Sequence, residues 1–208
     1  MPMNLTLALG LVAGMLGVTT DSLPETETQR LMQSVDFRGT VSRVLYFGPE
    51  TELISRSQLD VPDSTLADFQ EVFASAPYFG AFAISKSGGY GYSVGVNSAE
   101  AARAIAMAEC LNANSSCLIF AELHPVGYQG VGPGEIVLTT EVADLFFNPG
   151  KRPPYIAMAF SHDGAYSLNW GYESPAAAQA AALADCETYR INHLANLEDM
   201  PCLVLPLR

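Results

Sequence analysis

The sequence predicts an α/β fold of the α+β kind, built from two tandem units of one design. Three observations predict it. Residues 64–110 lie over residues 140–186 without a gap, at an offset of 76, and 16 of the 47 paired positions are identical. Eight of these matches are alanine, which composition alone supplies. Asp68/Asp144, Pro77/Pro153, Ser85/Ser161, Gly88/Gly164, Tyr90/Tyr166, Gly95/Gly171, Ser98/Ser174 and Cys110/Cys186 are harder to obtain by chance. Second, an alternating segment, a glycine turn and another alternating segment precede an alanine-rich run in each copy. Third, each run ends in a cysteine, and a further cysteine heads the next apolar stretch, Cys117-Leu118-Ile119-Phe120 and Cys202-Leu203-Val204-Leu205. Self-similarity at a fixed period is the mark of a duplicated supersecondary unit.

Each unit therefore reads as an antiparallel hairpin, a helix and a following strand. In the first, residues 79–85 and 90–96 form the hairpin arms, and glycine in Lys86-Ser87-Gly88-Gly89 supplies the positive φ of a tight turn. Ser98 stands where an N-cap belongs, ahead of Ala-Glu-Ala-Ala-Arg-Ala-Ile-Ala-Met-Ala-Glu, a run of strong helix formers. Ser174 repeats the cap, with Pro175 at the first helical position. Short helices are expected upstream at residues 64–73 and 140–147, and strand-like stretches at 41–47 and 135–138. The boundaries follow: residues 1–20 a signal peptide, 21–39 a polar lead-in, 40–124 the first unit, 125–134 a connector and 135–208 the second unit.

Side chains alternate along the hairpin arms. One parity holds Phe82, Ile84, Tyr90, Tyr92, Val94 and Val96, then Met158, Phe160, Tyr166, Leu168, Trp170 and Tyr172 in the second copy. The other holds Ala81, Ala83, Gly91, Ser93 and Gly95, then Ala157, Ala159, Ser167, Asn169 and Gly171. An alanine-rich helix packs closely on the small face. The bulky face then needs other cover. A core shared between the units is the first expectation, and an aromatic platform for a glycan or protein is the alternative. The sole tryptophan, Trp170, replaces Val94 of the first unit, so the faces differ in bulk. Trp170, Tyr172 and Tyr92 are the candidate partner-binding residues, and Trp170 and Tyr172 are expected partly exposed beside the seam.

Composition narrows the function classes. A hydrophobic share of 49% is ample for a core. Twenty-two acidic against ten basic residues leave a net charge of −12, which excludes a counterion-displacing grip on nucleic acid and disfavours anionic lipid surfaces. The first twenty residues carry no charged side chain, and residues 5–18 form one apolar run of secretory length, with Val18 and Thr20 placed as a cleavage site before Asp21. An uncleaved anchor and a buried N-terminal helix are the alternatives. Four cysteines in an exported chain point to disulfides, and the repeat selects Cys110–Cys117 and Cys186–Cys202. Zinc fits less well, because the intervals are not the paired close spacings of zinc ligands. No cofactor or metal is implied.

Gly80-Ala-Phe-Ala-Ile-Ser, the glycine turn, Tyr90-Gly-Tyr, Ser98 with its alanine-rich helix, Cys110 and then Cys117 resemble the exported bacterial family catalogued as domain of unknown function 4189. The likeness spans about 45 residues of each unit, and Ile156 stands where the first unit has Gly80. It implies export and a small α/β fold, and brings no activity or catalytic residues.

A catalytic constellation is not evident. Ser161-His162-Asp163 holds the residue types of a triad, but adjacent side chains in a turn splay apart, so a solvated turn is expected. Asp68 and Asp144 suggest an acid–base pair only if the units meet about a dyad, and surface or capping roles suit them better. Glu187, Glu198 and Asp199 lack the regular spacing of a strong calcium loop. Gly130-Val-Gly132-Pro-Gly134 lacks the Lys-Ser/Thr ending of a phosphate loop and reads as a flexible connector. The function expected is an exported, soluble binding or interaction module without catalysis. An inhibitor or immunity-type protein acting through an acidic surface is the alternative, and an envelope hydrolase using Asp68 and Asp144 a more distant one.

Overall fold

The computed structural model describes residues 37–151, 153–194 and 199–205. The expected signal peptide and most of the polar lead-in lie outside the described residues. The elements run β1 (Arg43–Leu45), β2 (Thr51–Ser55), α1 (Asp63–Val72), β3 (Phe79–Ile84), β4 (Tyr90–Val96), α2 (Ala99–Ala113), β5 (Leu118–Pro125), β6 (Glu135–Val137), α3 (Thr140–Phe147), β7 (Ala157–Phe160), β8 (Tyr166–Asn169), α4 (Pro175–Thr188) and β9 (Leu203–Val204). No helix among the described residues is long and apolar enough to cross a membrane.

The duplication is visible in the sheets. The first has the order β2-β5-β3-β4 and the second β8-β7-β9, with antiparallel pairing throughout, so β5-β3-β4 corresponds to β9-β7-β8. Strand β2 is an addition that the sequence reading missed. A parallel pair, β1 with β6, joins the start of the first unit to the start of the second. Both helix caps form as expected, the Ser98 Oγ accepting from the Ala101 N–H and the Ser174 Oγ from the Ala177 N–H. The disulfides are Cys110–Cys117 and Cys186–Cys202, one per unit, each tying a helix end to the following strand.

Alanine helices do lie on the small faces. Ala81 and Ala83 bury with α2, and Ala157 and Ala159 with Ala178, Ala182 and Cys186 of α4. At Gly91 an added Cβ would stand 2.3 Å from the Cys110 nitrogen and 2.7 Å from the Ala106 carbonyl oxygen, so only glycine admits the helix there.

The bulky faces are not joined into a shared core. The first is covered from within its own unit, and the second by its own α3 together with Val41 and Val44 from the start of the first unit. Phe82, Tyr90 and Val94 pack with Phe69 and Phe73 of the α1 region, and Phe69, Phe82 and Phe120 meet edge to face. Met158, Phe160, Tyr166 and Leu168 pack with Val142, Ala143 and Phe146 of α3. Covering a sheet with the preceding helix needs only a short connection, which favours it over a cross-unit embrace.

The alternation also breaks where a bulge intervenes. Phe79 pairs with Val96 and Gly80 with Val94, leaving Gly95 as an extra residue at φ +70°. One extra residue reverses the facing of all that follows. Val96 accordingly buries with α2, against the parity reading. Gly171, its repeat partner, takes φ +82°, and Tyr172 turns toward the α4 side, its hydroxyl 3.5 Å from the Asn169 amide that bonds Asp185.

Candidate functional site

The units meet at a seam built around Asn97, at the end of β4. This buried side chain donates to the Ser161 carbonyl (2.7 Å) and accepts from the Thr139 N–H (3.0 Å), while its own N–H reaches the His162 carbonyl (3.1 Å). The Ser161–Asp163 turn is thus embedded in the seam, not solvated as expected. Ser161 is fully buried and donates to the Met200 carbonyl. Asp163 accepts from the Ala165 and Ile191 N–H groups. His162 lies between the rings of Phe37 (5.2 Å) and Phe160 (5.4 Å). Its Nδ1 is buried without a partner, and burial pushes its pKa below the ordinary histidine value against the opposing pull of Glu100 and Asp163. Serine and aspartate bond the backbone and leave the imidazole alone. No triad forms.

A cleft of about 530 Å³ opens at this seam, with His162, Asn97, Glu100, Tyr128 and Glu135 among its walls. The expected flexible connector forms one side and is tied down: the Gly134 carbonyl accepts from the Ser42 and Arg43 N–H groups, and Glu135 accepts from Gly132. Tyr128 packs edge-on against Phe79 at 4.7 Å, and burial pushes its pKa up to about 12, so the phenol keeps its proton. The end of the polar lead-in also belongs here, since Phe37 is 2% exposed.

Behind Glu100 lies an ionic cluster that sequence reasoning did not find. Glu122 on β5 is 3% exposed. Arg56 grips it in a fork (3.0 and 3.1 Å), Arg103 of α2 reaches it at 3.2 Å and His124 at 2.8 Å, and Arg103 also holds Glu100. Burial alone would raise the Glu122 pKa. The His124 and Arg56 hydrogen bonds and the Arg103 charge outweigh it and hold the value at about 2. An acid this firmly ionised and this fully bonded anchors structure and has no proton to transfer at neutral pH. One signal was available: Glu122 and His124 stand two apart on one strand face, in an otherwise apolar run.

Of the named partner-binding residues, Tyr92 lies on the first sheet, apart from Trp170 and Tyr172, which both follow β8 of the second. Tyr92 is 38% exposed on β4, stacked over Phe82 at 6.3 Å. Trp170, 43% exposed, follows β8, the outer strand of the second sheet. Tyr172, 37% exposed, lies past the Gly171 kink. The turn of this hairpin, at the opposite end of β8 from Trp170, is the part that reaches Asn97.

The carboxylates considered for catalysis are not brought to one place by their helices. Asp68 on α1 accepts from the Tyr90 hydroxyl at 3.1 Å. In the second unit the matching hydroxyl, Tyr166, donates to Glu141 and leaves Asp144 exposed. Glu187 and Asp199 are paired with Arg190, and Asp199 also with Arg38, while Glu198 lies outside the described residues. No family model, curated protein or solved structure matches the chain.

Proposed function

We propose that the protein is an exported binding module, without catalysis, that meets a protein or glycan partner at the Trp170 edge of its second unit. The carrying observation is Trp170 itself. It is 43% exposed, at a position whose counterpart Val94 is covered by the α1 region. A large exposed aromatic at a sheet edge combines broad contact area with low ordering cost, the profile of an interface anchor. Asn169, Asp185 and the Tyr172 hydroxyl lie linked beside it and offer amide, carboxylate and phenol groups for hydrogen bonding. Two disulfides agree with an oxidising compartment. Membership in the domain of unknown function 4189 family, suggested by the hairpin and cysteine pattern, agrees with export. The acidic-surface reading draws less support, since Glu187 and Asp199 are occupied by Arg190.

Trp170 is the sole tryptophan, so its emission reports on this edge alone. Immobilised protein should retain a component of envelope protein or glycan fractions, with a blue shift of that emission in solution. Trp170→Ala should lose the retention while keeping its melting temperature within a few degrees. Equal retention by the variant removes Trp170 from the binding face.

A further inference from the structure

We propose that the outer edge of β2 is a dimerisation surface, on which a second copy of this chain adds its own β2 antiparallel about a twofold axis. Strand β2 ends the first sheet and pairs with β5 alone. Its ladder runs without a register shift. At one end the Val126 N–H donates to the Glu50 carbonyl, and at the other the Arg56 N–H donates to the Phe120 carbonyl. Antiparallel bonds alternate between the two sides of a strand. Glu50, Glu52, Ile54 and Arg56 therefore turn their backbone groups toward β5, and Thr51, Leu53 and Ser55 turn theirs outward. Among the described residues nothing bonds those outward groups. Such a row is a template for another strand, and proteins blunt it with bulges, short strands, proline or lysine. The Gly95 bulge interrupts β4, and β9 is only two residues long. Strand β2 is unbroken over five residues and carries neither proline nor lysine.

The strand's own sequence selects a second copy as the occupant. Antiparallel pairing centred on Leu53 sets Leu53 against the partner's Leu53, Thr51 against the partner's Ser55 and Glu52 against the partner's Ile54. No like charges are opposed, and Leu53, 48% exposed in the single chain, is covered by its copy. One step further out, Glu50 meets the partner's Arg56. Glu50 has no ion pair among the described residues. The Arg56 side chain is 43% exposed and grips Glu122 through Nε and Nη2, so Nη1 remains for a second carboxylate. The twofold repeats this charge pair at the other end of the strand. An unrelated extended peptide would find the backbone groups but not both charge pairs. This surface belongs to the first sheet and is independent of the Trp170 edge.

Sedimentation equilibrium of the intact protein should show reversible dimerisation with a Kd in the micromolar range. Leu53→Lys opposes two like charges at the centre of the pair and should raise that Kd about tenfold. Glu50→Lys sets a lysine against the partner's Arg56 and should raise it about tenfold as well. Glu50 is exposed, so this variant covers the case of Leu53→Lys failing to fold. Under mild oxidation Leu53→Cys should link the dimer by a disulfide and Glu52→Cys should not, because only directly opposed residues of a bonded pair bring their Cα atoms to about 5.5 Å. A chain that stays monomeric at millimolar concentration overturns the proposal, even if its β2 edge accepts an extended peptide from another protein. So does a dimer whose Kd neither folded variant changes, or equal cross-linking at positions 52 and 53.

Discussion

The two units use one plan and differ in what touches their helices. Helix α2 buries nine of its fifteen residues, whereas α4 buries three of fourteen. The first helix is enclosed: its sheet lies on one side, and Phe37, Leu194 and Met200 share its cluster. The second helix has its sheet and little more. The hairpin turns differ likewise. In the first unit the turn docks on its own α1, where the Thr65 hydroxyl donates to the Gly88 carbonyl. In the second it docks on the first unit, through Asn97. Duplicated sequences thus diverge where they meet, because the first copy must accept its neighbour and the second need not.

One equivalent pair shows the divergence at atomic scale. Gly91 and Ser167 occupy the same repeat position. In the first unit the backbone approaches α2 so closely that no side chain fits. In the second there is room for a hydroxyl, and the Ser167 Oγ donates to the Ala182 carbonyl at 2.6 Å. Ala182 is the counterpart of Ala106, the residue that a Cβ on Gly91 would strike.

The largest expected effect is confined to the first unit. Glu122→Gln should cost about 3–5 kcal/mol, since it leaves the Arg56 and Arg103 charges without their buried carboxylate. Denaturant titration measures this. In the parent, the folded Glu122 pKa of about 2 lies below the ordinary 4.5, so its stabilisation is present above pH 4.5 and is lost as pH falls toward 2. That acid limb should carry about 3 kcal/mol, and it should flatten in the variant.

Next comes the helix contact. Gly91→Ala should destabilise by about 3 kcal/mol, because every close neighbour of the new Cβ is anchored in helix α2. Ser167→Ala should cost about 1 kcal/mol, the worth of one hydrogen bond. Equal losses at the two sites would show that the helices approach their sheets alike, and would end the contrast.

Asn97→Ala tests the seam. It should cost about 2 kcal/mol by leaving buried backbone groups unpaired, and calorimetry should resolve two transitions where the parent shows one. A single transition at every stage would mean that the first unit's helix cluster, which includes Leu194 and Met200, couples the units unaided. Acid should weaken the seam as well. The folded His162 pKa lies below its unfolded value near 6.5, so stability is intact above that value and declines as pH falls through the window beneath it.

The smallest effect belongs to the second unit's edge. Trp170→Ala should lower stability by about 1 kcal/mol or less, against about 3–5 kcal/mol for Phe82→Ala in the buried face of the first unit. A Trp170 loss in the Phe82 range would make it a core residue and remove it from the binding face.

By itself the sequence determined the repeat, the hairpin–helix–strand order, both serine caps and both disulfides. Those features rest on short-range chemistry: alternation, helix propensity, capping hydroxyls and cysteines at matching places. Trp170 could be singled out because it is the sole tryptophan and stands opposite a valine in the other copy. Tertiary structure decided the rest. Nothing local marks Gly95 as a bulge, yet the extra residue carries Val96 to the helix side, and Gly171 takes the matching positive φ past the end of β8. Ser161-His162-Asp163 resembles a surface turn until Asn97, 64 residues away from Ser161, places it in the seam. Glu122 acquires its role only when Arg56 and Arg103 converge on it from 66 and 19 residues off. Which face is covered, and by what, depends on packing between distant segments, and only the folded chain brings those segments together.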